Sequence, residues 1–111
     1  MIDILVQAAL KASFEQKIHI ITDLMALAAK SFSKSVDDVE VDMETQEAIW
    51  FSGERMQNCI FVYVRLDDRE PMSGRDVLNE KIPGILANTF NIPKDKIFVI
   101  FNVYKYREEK K

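Results

Sequence analysis

Few side chains in this sequence are equipped for chemistry. Its 111 residues hold one histidine, His19, and one cysteine, Cys59. That pair cannot furnish the ligand set of a zinc site, and a lone cysteine closes no intrachain disulfide. No cofactor is expected. His19 has Asp23 four residues on within a stretch of helical periodicity, which predicts a surface ion pair rather than a catalytic base. Cys59 precedes an apolar run and has no neighbouring base, so it is expected as a small core residue. Asp67 and Asp68 in "RLDDRE" are adjacent, which rarely lets two carboxylates converge on one bond; a solvated turn is expected there. Lys11, Lys34 and Arg55 lie in polar stretches and could each hold an anion as a charged donor, against the commoner role of a solvating charge. Trp50 and Phe51 suit an interface or pocket wall, but their place in a strand-like run predicts core packing first.

These residues must be positioned by a small set of elements. "MIDILVQ" reads as a strand and "KASFEQKIHIITDLMALAAKSF" as a helix, with Ser13 and Gln16 in capping-box spacing. Phe14, Ile18, Ile21, Met25, Ala28 and Phe32 predict its apolar stripe, with Ile20, Leu24 and Leu27 beside it. "VEVDMETQEAIWF" predicts one strand or two short ones, and "SGERMQN" the turn that follows. "CIFVYVRL" and "DKIFVIFNVY" are apolar on both faces, as strands covered on two sides are. Between them, "SGRDVLNEKIPGILANTF" predicts a helix starting at Ser73, with a kink or break at Pro83 and Gly84.

The order is β-α-β-β-α-β, an α/β (α+β) arrangement, and its halves match at an offset of 58. Ile2, Ile4 and Val6 fall on Ile60, Val62 and Val64; Ala29, Phe32, Asp37, Val39 and Val41 fall on Ala87, Phe90, Asp95, Ile97 and Val99. A repeat that holds through strand, helix end and second strand predicts a duplicated βαβ unit. The expectation is a single domain over 1–104, with repeats at about 1–50 and 58–104, and a solvated charged tail over 105–111. Right-handed crossovers put both helices on one face of a four-stranded sheet. The other face carries Phe61, Tyr63, Phe98 and Ile100 with no helix left to cover it, which predicts an oligomer.

Charge and hydropathy narrow the classes further. Hydrophobic residues make up 48% and charged residues 30%, the profile of a globular domain with a real core. A net charge of −3 offers no basic stripe for phosphate backbones, so nucleic acid is not an expected partner. No apolar run has the length to span a bilayer, and the N-terminus lacks a secretory signal pattern. With one cysteine, the expected location is cytoplasmic and no membrane partner is expected.

The segments "SFEQK", "SFSKSVDDVEV" and "LANTFNIPKDKIFVIFNVY" resemble the tautomerase superfamily, which includes 4-oxalocrotonate tautomerase and macrophage migration inhibitory factor. The resemblance runs from Met1 to Tyr104. It implies duplicated βαβ units assembled as a trimer, and an N-terminal proline that shuttles a proton between carbon and oxygen of a 2-oxo or enol acid. Here the second residue is Ile2, whose bulk protects an initiator methionine from removal, so the implied base is the amine of Met1. The first-strand arginine of the bacterial enzymes falls near Lys11 and Ala12, and the second-strand arginine on Glu40, a reversal of charge. Lys34 matches a pocket lysine, while Phe98 and Ile100 stand where a tyrosine and an asparagine would be, implying a more apolar pocket.

The implied function is a weak keto-enol tautomerase of 2-oxo acids, or a catalytically inactive relative, with a small-molecule carboxylate held by Lys11 or Lys34. The alternative is a non-enzymatic, ferredoxin-like module that oligomerises or binds a ligand or protein. Strand order separates the two folds: the first two strands are parallel neighbours only in the tautomerase arrangement.

Overall fold

The computed structural model describes residues 1–107. Eight elements follow one another: β1 (Ile2–Ala8), α1 (Phe14–Ser31), β2 (Val39–Thr45), β3 (Ile49–Phe51), β4 (Glu54–Met56), β5 (Ile60–Asp67), α2 (Met72–Phe90) and β6 (Ile97–Tyr104). Single 3₁₀ turns at Val36–Asp38 and Lys94–Lys96 lead into β2 and β6.

Four strands form one sheet in the order β2-β1-β5-β6. β1 runs parallel to β2 and β5 parallel to β6, while β1 and β5 meet antiparallel at the centre. The adjacency of β1 and β2 rules out the ferredoxin-like order. Both helices pack on one face, where Ile2, Ile4 and Val6 of β1 and Ile60, Val62 and Val64 of β5 are buried against Ile20 and Leu24 of α1 and Leu78, Ile82 and Leu86 of α2. Each element of the second half begins 58 residues after its counterpart: Ile60 after Ile2, Met72 after Phe14, Lys94 after Val36 and Ile97 after Val39.

The capping box forms as expected. The Ser13 hydroxyl accepts from the Gln16 amide at 3.1 Å, and the Gln16 side-chain carbonyl accepts from the Ser13 amide at 2.9 Å. The expected stripe of α1 holds in its later turns, where Ala28 and Phe32 are buried and Ile21 and Met25 pack against the core, and fails at its start. Ile20, Leu24 and Ala28 face the sheet, whereas Phe14 is 77% exposed and Ile18 is exposed as well. The first turn of α1 precedes the point where the helix lies over the sheet core, so an apolar side chain there finds no partner.

Helix α2 starts at Met72 with Pro71 as its cap, not at Ser73, and it continues through Pro83 without a break. Proline leaves the Asn79 carbonyl without its amide donor, but Ile82 and Leu86 on either side are fully buried and hold the helix in line. Close packing of the helices requires Gly74: a Cβ there would collide with the Phe32 ring and come within 2.9 Å of the Ser31 carbonyl oxygen.

"SGERMQN" is more than a turn. Its Ser52 and Gly53 both have positive φ, at 50° and 79°, the two-residue geometry that suits a hairpin, and Glu54–Met56 pairs back on Ile49–Phe51. This hairpin covers one end of the face that lacks helices. Ile49 is buried with Ala9, Cys59 and Phe61, and the Phe51 and Phe61 rings lie 5.1 Å apart. The chain thus covers part of its second face itself, contrary to the expectation that nothing was left for the task. The rest of that face is mixed: Phe98 and Ile100 on β6, but Glu40, Asp42 and Glu44 exposed on β2.

Trp50 is 71% exposed at the hairpin, so core packing does not apply to it. The expected tail also begins differently. The Tyr106 amide donates to Asp68 Oδ1 at 3.1 Å and its ring stacks under Arg69; residues 108–111 of that expected tail lie outside the described residues. Among the described residues no helix is long and apolar enough to cross a membrane.

Candidate functional site

The residues singled out from the sequence gather at the two ends of β1. Seven strand residues make six steps of about 3.3 Å, so the ends stand roughly 20 Å apart within one chain. Met1 and Lys34 lie at the first end; Lys11, Arg55 and Phe98 lie at the second.

At the first end, the antiparallel register of Asp3 with Arg65 brings the end of β5 beside Met1. Met1 is 59% exposed. Asp67, expected in a solvated turn, is buried instead, and it accepts from the Arg69 amide at 2.9 Å, from Nε at 3.0 Å and from Nη2 at 2.9 Å. Those Arg69 side-chain hydrogen bonds outweigh the opposing effect of burial. With smaller help from the Arg69 amide and charge and from the Met1 ammonium, they lower the Asp67 carboxyl to about 2. The Arg69 guanidinium sits 3.3 Å from the centre of the Tyr106 ring, a cation–π stack that ties the start of the tail to this end.

Lys34 is aimed by the end of α1. Ser33 adopts a positive φ of 52°, its amide donates to the Lys30 carbonyl and the Lys34 amide to the Ala29 carbonyl, so the helix closes in a Schellman motif. Its ammonium then meets Glu70 at 3.1 Å, with the Glu70 side chain 5% exposed. Lys34 is therefore already engaged by a buried carboxylate. Sequence reading missed Glu70, Arg69 and Tyr106: Glu70 and Tyr106 meet partners distant in the chain, and Arg69 bonds Asp67 two residues back, a spacing that alone marks no site.

At the second end, a cleft of about 1080 Å³ opens between the β1–α1 loop, the end of β2, the hairpin and the end of α2. Lys11 and Arg55 line it with the single carboxylate Glu47, over an apolar floor that includes Leu10, Phe90 and Ile92. Backbone bonds stitch its walls: the Gln46 amide to Ala8, Asn58 to Ala9 and Ala9 to Cys59, at 2.8–2.9 Å. Phe98 stands in register with Phe61, their rings 4.9 Å apart, and Ile100 with Tyr63 at mid-sheet. Neither residue shares an end with Met1 in the same chain.

The remaining candidates take structural places. His19 Nε2 meets Asp23 at 3.1 Å on the exposed side of α1, as its spacing predicted. Cys59 is fully buried, and burial pushes its thiol up, opposed by the charge of Lys96. Glu40 is exposed on β2. Among the described residues, no group of three or more His, Cys, Asp or Glu is arranged to hold a metal ion.

No family model and no curated protein matches this sequence. Solved structures do match its fold. The native fused 4-OT structure aligns with a TM-score of 0.81 at 14% identity, over 93% of this chain and 87% of the other. Pt0534 inactivated by 2-oxo-3-pentynoate gives 0.81 at 14% identity, over 93% and 85%. MIF2 of Leishmania major gives 0.80 at 15% identity, over 98% and 93%. The strand order, the two helices on one face and these likenesses agree: the chain has the fold of the tautomerase superfamily, the one seen in 4-OT and MIF structures.

Proposed function

We propose that this chain is a tautomerase-like small-molecule protein that assembles as a trimer and has weak keto-enol tautomerase activity on 2-oxo acids. The observation that carries the proposal is the position of Met1: it heads the strand that begins the fold, exposed at the end of the sheet, in a chain whose structural neighbours include a fused 4-OT trimer and a protein inactivated by a 2-oxo acid. The Met1 amine takes the hydroxyl proton of an enol acid, and the ammonium returns it to C3; the C=C bond becomes single and the C–O bond double. Lys34 of the same chain holds the acid group, or Lys11 of a neighbouring copy does, since Lys11 lies at the far end of β1 in its own chain. Phe98 and Ile100 of a neighbouring copy supply apolar walls, since in their own chain they lie away from Met1.

A second reading, an inactive relative that keeps the assembly, is favoured by the Lys34–Glu70 pair, which takes one of the two proposed acid-holding charges out of play. Ketonisation of an arylenolpyruvate, followed by ultraviolet absorbance, tests both. A rate well above buffer that disappears on acetylation of the N-terminal amine supports catalysis by Met1, with intact mass establishing that Met1 is retained. A rate equal to buffer at high protein concentration removes the enzyme reading for this substrate class. Sedimentation at three times the 12.9 kDa chain mass checks the trimer.

A further inference from the structure

The face of the sheet that lacks helices carries its charge unevenly. Asp3 of β1 stands directly beside Glu40 of β2 in the parallel register, Leu5 beside Asp42 and Gln7 beside Glu44. Residues in register share a face, so four carboxylates lie on the side away from the helices, and like charges set side by side on neighbouring strands repel. Among the described residues none of the four is in an ion pair. Glu44 accepts from the Gln7 side-chain amide at 3.4 Å, but Asp3 Oδ1 is buried with no hydrogen-bond partner. Arg65 is in register with Asp3 on the β5 side, yet its guanidinium lies over the Tyr104 ring, 4.7 Å from the centre. The cation closest to hand is thus held elsewhere, and a buried carboxylate oxygen without a donor costs stability until something supplies one. All four carboxylates line one groove of about 590 Å³, with Leu5, Tyr63 and Arg65 also in its walls.

We propose that this groove binds a linear aliphatic polyamine laid along β2, with its ammonium groups on Glu40, Asp42 and Glu44, one of them also donating to Asp3, and its methylenes against Leu5 and Tyr63. Glu40, Asp42 and Glu44 are alternate residues of one strand, so they repeat about every 6.6 Å along it. Two ammonium groups separated by four methylenes span nearly the same distance, so one extended chain meets successive carboxylates. Each ammonium brings several N–H donors, which is what the unpartnered Asp3 oxygen lacks. A single metal ion does not match the spread: among the described residues, no group of three or more His, Cys, Asp or Glu is arranged to hold one. The groove lies within the volume range of small-molecule sites. The proposal goes beyond the Met1 reading and uses none of its residues.

The test is calorimetry with spermidine at about 0.15 M salt, where exposed charges more than about 8 Å apart are screened from one another. The controls are n-butylamine, which carries a single ammonium, and magnesium chloride, which carries its charge as a point. The expected result is saturable binding of spermidine, no measurable binding of either control, and about fivefold weaker affinity in each of Glu40→Gln, Asp42→Asn and Asp3→Asn. Glu15→Gln, which removes an exposed carboxylate from α1 on the other side of the sheet, keeps wild-type affinity. No saturation up to about 10 mM spermidine, magnesium binding as tight as that of spermidine, or wild-type affinity in Asp42→Asn overturns the proposal. Asp42 is exposed, and a melting temperature of Asp42→Asn at or above that of the wild type shows that a lost isotherm is lost binding.

Discussion

Leu5 stands directly opposite Tyr63 across the β1–β5 ladder, and Tyr63 is the residue 58 positions later in the chain. The same register pairs Asp3 with Arg65 and Gln7 with Phe61, so each pair exchanges into the other when the two halves are superposed at that offset. The two βαβ halves therefore meet around a local two-fold relation centred on Leu5 and Tyr63. Both halves bury the same alternate positions toward the helices, yet on the opposite face they have diverged. Asp3, Leu5 and Gln7 stand on one side of the relation, and Phe61, Tyr63 and Arg65 on the other.

Asp67 links the end of β5 to acid stability. Its carboxyl is lowered to about 2 in the folded chain, against roughly 3.9 when unfolded. A depressed carboxyl contributes stability above its unfolded value and loses it as pH falls through its folded value. Asp67→Asn is expected to cost about 1–2 kcal/mol at neutral pH, since half of the Arg69 side chain stays in water. The difference from wild type shrinks between about pH 4 and pH 2, which urea unfolding across that range checks.

Lys34 and Glu70 are an unequal pair, because the carboxylate is far more buried than the ammonium. Lys34→Met leaves a buried carboxylate without a partner and is expected to cost roughly 3 kcal/mol. Glu70→Gln leaves the lysine free to reach water and costs about 1 kcal/mol. Chemical denaturation of the two variants orders them; equal losses would mean that the carboxylate is solvated.

Two glycines of α2 predict opposite outcomes. An added methyl at Gly74 meets the Phe32 ring and the Ser31 carbonyl, so Gly74→Ala is expected to lose about 1–3 kcal/mol despite its better helix propensity. At Gly84 the same methyl makes ordinary contact with the Lys94 side chain, and Gly84→Ala is expected to gain about 0.5–1 kcal/mol. Thermal melts of the two variants should move in opposite directions.

Pro83 sits inside a helix that holds its course. Restoring the amide with Pro83→Ala lets Asn79 regain its hydrogen bond and is expected to raise stability by about 1–3 kcal/mol. An unchanged melting temperature would mean that a rearranged backbone already satisfies that carbonyl.

Features closed within a few residues were legible in the sequence. The Ser13–Gln16 box spans one helical turn, the His19–Asp23 pair another, and the 58-residue offset needs only the chain itself to be seen. Alternation located β2, because a strand's two faces are written in its own period of two, and continuous apolar runs located β5 and β6. The candidate site was less legible. Lys11 comes from the β1–α1 loop and Arg55 from β4, and Lys34 and Glu70 are joined only because the end of α1 and the start of α2 meet at one end of the sheet.

Which face of α1 is buried, whether Asp67 sees water and where Trp50 ends up were decided only in three dimensions. A side chain's burial depends on what another element places over it, and pairing between distant strands is set by the packing of the whole sheet. Phe14 reads as core by period and lies in water, because the sheet ends before it. Residue types and periods thus determined the elements and their order; tertiary packing determined which charges met, and so where a ligand could be held.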